Sequence, residues 1–278
     1  MLKTRVISSV IMGILLVSIV IFESSLPVLL NIAIGAISAL CVYELIKASG
    51  LEKRLALIIP SITISFFIPF SNLVSHEVEF SIYCLYSFTM FIMLIACHKR
   101  VSFKELAIIY SMSIMIPTAL GTIILARVID VDHGIFYTVI AVIAAWIPDI
   151  GAYFAGTYLG KHKLCPDISP KKTVEGFIGG IIANIIGMLI AGLFFSYVYY
   201  AGQPTAANLY IMMLIGVAGA IAGTIGDLSF SLIKRSCGIK DFGHIIPGHG
   251  GILDRFDSVV FTAPVVYIIV TFLPPILN

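Results

Sequence analysis

Charge is scarce in this sequence. Only 12% of its 278 residues are Asp, Glu, Lys or Arg, about half of the roughly 25% found in a water-solvated domain. That shortage excludes a soluble globular fold and a disordered chain. It also excludes a nucleic-acid binder, which needs a dense basic surface. Cysteine is sparse and odd in number: Cys41, Cys84, Cys97, Cys165 and Cys237 fall in no CxxC or Cys/His ligand spacing. A secreted disulfide scaffold is therefore excluded, and five free thiols without a metal role are expected. What is plentiful is apolar. Hydrophobic residues make up 59% of the chain and glycines number 23, a composition suited to closely packed transmembrane helices. The expected fold class is all-α, a polytopic integral membrane protein.

Runs near the ~20 residues needed to cross about 30 Å of hydrocarbon fall at 6–22, 26–46, 55–70, 80–97, 106–126, 135–148, 177–200, 209–227 and 259–277. Nine transmembrane helices are expected. The third and sixth runs are short and must tilt, thin the bilayer or continue into an adjoining helix. The first, after Lys3 and Arg5, exceeds a signal-peptide core and lacks a small-residue cleavage site, so it reads as an uncleaved helix. With the N-terminus in the cytoplasm, nine alternating spans place sixteen of the seventeen Lys and Arg inside and only Arg127 outside. The outer loops then carry Glu23, Glu77, Glu79, Asp130 and Asp132. This sorting predicts an N-in, C-out, multi-pass protein of the cell (inner) membrane with its chemistry facing the cytoplasm. Residues 1–130 form an N-terminal set of helices whose charges read as headgroup anchors. Residues 131–278 form the C-terminal region that bears the chemistry.

That chemistry gathers in two inner segments, 146–176 and 226–258, which hold eight of the sixteen inner-face bases and most of the inner-face acids. If the eighth span runs on as a helix, Asp227, Ser231 and Lys234 share one face. A carboxylate at the end of a membrane span is costly and therefore functional by default. Asp254 and Asp257 follow one turn apart, beside Arg255 and ahead of the last span, where a helix dipole also favours acids. Hard oxygen ligands from Asp suit Mg²⁺, which takes its other ligands from phosphates and water. Pro247, Gly248, His249, Gly250 and Gly251 make a turn in which backbone N–H groups can approach an anion. With Lys234, Arg235, Lys240 and Arg255 nearby in sequence, the segment reads as a nucleotide triphosphate site. In the earlier segment, Ser169 is expected to cap a helix starting at Pro170, with Lys171, Lys172 and Thr173 beside a phosphate. A positive-inside loop that touches anionic headgroups is the plainer alternative. Asp149 ends the sixth span, followed by Gly151, Gly156 and Gly160. His162 and His244 read as solvated loop residues.

The pattern Ser231-x-Ile233-Lys234-Arg235-x4-Lys240-Asp241-x-Gly243-x2-Ile246-Pro247-x-His249-Gly250-Gly251-Ile252-x-Asp254-Arg255-Phe256-Asp257 resembles the signature of the phosphatidate cytidylyltransferase (CDP-diacylglycerol synthase) family. The stretches Asp149-Ile150-Gly151-Ala152-Tyr153 and SPKKTVEGFIGG, which begins at Ser169, resemble the same family. The resemblance covers roughly the last 130 residues. It implies a Mg²⁺-dependent reaction, CTP + phosphatidate → CDP-diacylglycerol + pyrophosphate, in a polytopic helical homodimer within the bilayer. It implies Asp227 and Asp254 as metal ligands, with Lys234, Arg235, Lys240 and Arg255 joining them in catalysis. Ser169, Lys171, Lys172, Thr173, Gly248, His249, Gly250, Gly251 and Asp257 become substrate-binding residues. Departures stand at Phe230, where the family has Glu, at Phe242, where Ser is common, and at Pro148 and Ile150 around Asp149. Phe230 removes one negative charge from the Asp227 face. A CTP-dependent lipid kinase of the polyprenol-kinase type is the rival enzyme. The CDP-alcohol phosphotransferase pattern is absent, and no inverted repeat supports a transporter.

Overall fold

The structure, a computed structural model, describes residues 26, 28–52, 54–130, 132–199, 207–246 and 250–276. The first expected span, 6–22, lies outside the described residues, as do Gly248 and His249. Within them, eight helices are long and apolar enough to cross a membrane. These are α1 (Val28–Ala48), α2 (Leu55–Phe67, drawn out to Leu73 by a 3-10 turn, Ile68–Leu73), α3 (His76–Ala96), α4 (Phe103–Ile129), α5 (Gly134–Leu159), α6 (Val174–Tyr199), α7 (Leu209–Ser236) and α8 (Leu253–Phe272). Between α5 and α6 an antiparallel ribbon pairs β1 (Lys163–Cys165) with β2 (Ser169–Thr173). The protein is thus a helical, multi-pass membrane protein with one small ribbon set into it.

Of the two short apolar runs, one stays modest and the other does not. The run at 55–70 becomes α2 plus its 3-10 turn, 19 residues in all. The run at 135–148 continues through Pro148 to Leu159, so α5 has 26 residues and carries Asp149 within the helix. Several helix starts follow local rules. Ser102 and Glu105 form a reciprocal capping box at α4: the Ser102 amide donates to Glu105 Oε2 (2.7 Å) and the Glu105 amide to Ser102 Oγ (3.3 Å). At α7, Asn208 Oδ1 accepts the amides of Tyr210 and Ile211. Before α5, Asp130 accepts the amides of Asp132 and His133, and its Oδ2 lies 2.6 Å from His133 Nδ1.

Packing groups the chain into two compact units. The first runs to Ile124 and also takes Cys237–Arg255; the second comprises Leu125–Ser236 and the residues from Phe256 on. This grouping is discontinuous in sequence.

In the first unit, polar side chains tie apolar helices together. Asn31 on α1 donates to the Pro69 carbonyl and to Asn72 Oδ1, both at 2.8 Å. Ser61 pairs with the Tyr86 hydroxyl at 3.1 Å, and Ser65 donates to the Ser113 carbonyl at 3.1 Å. Tyr86 stacks on Tyr110, whose hydroxyl meets Ser87. Such contacts hold helices where lipid supplies no hydrophobic drive for association. By contrast, α3 exposes Phe80, Leu85, Phe88 and Ile95, a surface that suits acyl chains.

The second unit has a packed core of Phe136, Tyr137, Ile140, Ala144, Met188, Met212, Ile215, Val266 and Val270 from four helices. Helices α5 and α6 approach closely because Gly151 faces Ala183 and Gly180 faces the Pro148 carbonyl, leaving no room for a larger side chain. Asn184, fully buried on α6, donates to the Ala144 carbonyl of α5 (3.1 Å) and the Gly216 carbonyl of α7 (2.8 Å). One amide thereby ties three helices.

Two outcomes follow from these contacts. Asn184→Leu removes two interhelical hydrogen bonds at roughly constant volume. At about 0.5–1.5 kcal/mol each, the thermal midpoint in detergent falls without loss of helical content. At Asp130, burial would raise the carboxyl pKa. The His133 ring and the two amides outweigh burial and hold it below the usual carboxylate value. A depressed pKa stabilises above the unfolded value near ~4 and loses that stabilisation as pH falls through the folded value. Asp130→Asn should therefore lower the thermal midpoint at pH 7, and the gap to wild type should close in acid.

Candidate active site

Helix α7 does not stop where its apolar run ends at Asp227. It extends to Ser236, so Asp227, Ser231 and Lys234 lie on one continuous helix as their spacing requires. Two ion pairs form there within the second unit. The Lys172 ammonium, at the end of β2, contacts Asp227 Oδ2. Lys234 Nζ lies 3.7 Å from Asp257 Oδ2, with side chains only 11% and 8% exposed. Neither charge of that pair would remain so buried alone, because an uncompensated ion at such a site costs several kcal/mol. Asp257 also feels the Asp227 and Asp149 carboxylates, so three acids and two lysines make one electrostatic group. Arg235, on the same last turn of α7, is exposed.

A cavity of about 300 Å³ is lined by Lys172, one member of these pairs. Asp149, Lys171, Lys172 and Thr173 supply its polar wall; Pro148, Tyr153, Leu164 and Phe177 supply its apolar one. The lysines are presented by the ribbon. Ser169 does not cap a helix: it pairs with Cys165 at the start of β2, and the chain stays extended to Thr173. Thr173 provides the cap instead, its Oγ1 accepting the Gly176 amide at 3.1 Å. Pro170 sits in the strand, and α6 begins four residues later at Val174. Glu175 ties down the other end of the ribbon. Its carboxylate accepts the Lys161 and His162 amides and lies 2.6 Å from His162 Nδ1. His162 is thus exposed, as expected, yet held.

The glycine-rich segment and Asp254 belong to the first unit. Asp254, in the first turn of α8, accepts the amides of Phe242 (2.9 Å) and Gly251 (3.0 Å) on Oδ2. The Ile246 amide donates to the Gly250 carbonyl at 3.0 Å, and Gly250 takes φ +90°, a conformation that glycine adopts without steric cost. Phe242 contributes through its backbone, so the change from Ser leaves this hydrogen bond available. Lys240 and Arg255 are exposed on the same unit.

Glu44 was missing from the sequence expectation. It is not a headgroup anchor: it is 1% exposed, and its two oxygens accept the Ile252 amide at 3.1 Å and the Leu253 amide at 2.8 Å. The available signal was an acid inside the apolar run at 26–46, which is costly without a partner. Asp149, noted for its position but given no role, lines the cavity.

Phe230 is 1% exposed and meets Phe261 edge-on at 6.4 Å between ring centres. An apolar contact between α7 and α8 therefore stands where a Glu was expected. Among the described residues, no group of three or more His, Cys, Asp or Glu is gathered to enclose a metal. The donor set still fits Mg²⁺, which is commonly held by one or two carboxylates, substrate phosphates and water. Asp227 already accepts a cation, the Lys172 ammonium, at its Oδ2.

Fold and site together define a helical membrane protein with paired charges at the ends of its apolar helices. The chain matches the cytidylyltransferase family over residues 3–273 and belongs to it. It is similar to phosphatidate cytidylyltransferases of Staphylococcus haemolyticus (43% identical over 138 residues, half of each chain) and Synechocystis (44% over 145 residues, 52% of this chain and 46% of the relative). The Bacillus subtilis phosphatidate cytidylyltransferase is 39% identical over 188 residues, 68% of this chain and 65% of the relative. Across most of these curated relatives the match spans about half of their length.

Thr173→Val tests the corrected cap. Loss of the hydroxyl should cost about 1 kcal/mol and speed hydrogen exchange of the first α6 amides. Ser169→Ala should leave those amides unchanged.

Proposed function

We propose that the protein transfers the cytidylyl group of CTP to phosphatidate, giving CDP-diacylglycerol and pyrophosphate for phospholipid synthesis. The observation that carries this reading is the pair of Lys–Asp contacts, Lys172–Asp227 and Lys234–Asp257, with Lys172 also lining a mostly apolar cavity. Charges so costly to place there suit a reaction between two phosphates, one of them on a lipid that never leaves the bilayer. The names of the relatives support the same chemistry.

In the proposed reaction a phosphatidate oxygen attacks the α-phosphorus of CTP, an α-phosphorus–oxygen bond forms, and pyrophosphate leaves. A phosphate monoester is already ionised near neutral pH, so no side chain has to remove a proton. The difficulty is repulsion between two anions. Lys171 and Lys172 at the cavity, with Lys234, Arg235, Lys240 and Arg255, offset that repulsion and orient the phosphates. Asp257 holds the Lys234 ammonium in place. Thr173 and Ser169 position the ribbon, and Gly248, His249, Gly250 and Gly251 bind substrate. Mg²⁺ held by Asp227 and Asp254 would supply further neutralisation at the triphosphate. We further propose nine membrane helices, N-in and C-out, a site facing the cytoplasm at the cell membrane, and a homodimer as the working form.

Purified protein given CTP, phosphatidate and Mg²⁺ should place an α-phosphate label in lipid and release a γ label as pyrophosphate. A γ label appearing in lipid would identify a kinase and overturn the proposal. Asp254→Asn and Asp227→Asn should each lower kcat by about 10²–10³-fold while the protein stays folded. Wild-type turnover no greater than that of folded Asp254→Asn would also refute it.

A further inference from the structure

Resting on the proposed reaction, we infer that Glu44 is a positioning residue: from α1 it sets the start of α8, and with it Gly251 and Asp254. Four observations within the first unit converge on this role.

The Glu44 side chain is fully buried, and both of its oxygens are used, one on the Ile252 amide and one on the Leu253 amide. These are N–H groups at the beginning of a helix, which have no partner within the helix and carry the positive end of its dipole. The carboxylate therefore does the work of a helix cap, supplied by a residue 208–209 positions away in sequence.

Glycines make room for it. A Cβ at Gly243 or Gly251 would collide with the Glu44 carboxylate. Both glycines fall within the sequence signature, and both lie against the Glu44 carboxylate.

Asp254 uses the same segment from the opposite direction. Its Oδ2 accepts the Phe242 and Gly251 amides. Consecutive amides at Gly251, Ile252 and Leu253 thus go to Asp254, Glu44 and Glu44. Removing Glu44 takes this acceptor from the Ile252 and Leu253 amides, next to Asp254, the acid that the proposed reaction needs for its metal.

Finally, an acid in a membrane helix is retained only where something compensates it. The two amides compensate it, and the Lys47 charge one turn along α1 partly offsets the like charge of Asp254.

Glu44→Gln, which keeps size and reach but turns one acceptor into a donor, provides the test. Glu44→Asp keeps the charge with a shorter reach, and Glu52→Gln serves as an exposed control on the same unit. Hydrogen exchange of the full-length protein in detergent should show the Gly251–Asp254 amides exchanging about tenfold or more faster in Glu44→Gln. Helix α6 should be unchanged. In the cytidylyl-transfer assay, kcat per folded protein should fall about 10- to 100-fold, with KM for phosphatidate within about twofold. Glu44→Asp should recover part of that loss, and Glu52→Gln should match wild type. Unchanged exchange at 251–254 would overturn the inference, as would faster exchange with wild-type kcat. A loss of activity fully explained by less folded protein would also overturn it. If wild type forms no CDP-diacylglycerol, the functional proposal fails, while the exchange comparison still decides whether Glu44 orders this turn.

Discussion

The rest of this structure depends on the cost of an unpaired charge next to hydrocarbon. With charge so scarce, each ionic group near a helix end has to be compensated by an opposite charge, a backbone dipole or water. Lys172 and Asp227 meet, Lys234 and Asp257 meet, and Glu44 takes two helix-start amides. Pairing of this kind is weak evidence for stability, because desolvation offsets much of the attraction. Its value lies in placement. Each ion pair fixes a long, flexible lysine side chain against a carboxylate.

The scaffold around these pairs uses two different means of holding helices together. In the first unit hydroxyl and amide side chains bridge apolar helices, as Asn31, Ser61 and Ser65 do. In the second unit glycine and alanine allow close contact of α5 with α6, and Asn184 adds a three-helix tie. Both means suit lipid, where apolar surface alone gives no preference for a neighbouring helix over an acyl chain.

Much of this was legible in the sequence. Eight of the nine apolar runs coincide with long apolar helices, and the first lies outside the described residues. Asp227 and Lys234 share a helix because the 3.6-residue period was already visible in their spacing. The failures have physical causes. The apolar run breaks at Asp149, but α5 continues, since a single Asp interrupts hydropathy without breaking a helix and the residues after it are again largely apolar. Ser-Pro looks like a cap followed by N1, yet strand pairing of β2 with β1 overrode that local preference and moved the cap to Thr173. Glu44 was passed over because its partners lie more than two hundred residues away, and no local window contains them.

That separation bears on how the protein is made. Glu44 enters the membrane early, while the amides it will accept belong to residues synthesised 208–209 positions later. At translation speeds of about 5–20 residues per second, the nascent chain carries this acid for roughly 10–40 s before its partners exist. During that interval the acid has to be compensated by something else, such as water, a proton or the nearby Lys47 charge. The contact that joins α1 to the start of α8 can therefore form only after most of the chain has been made.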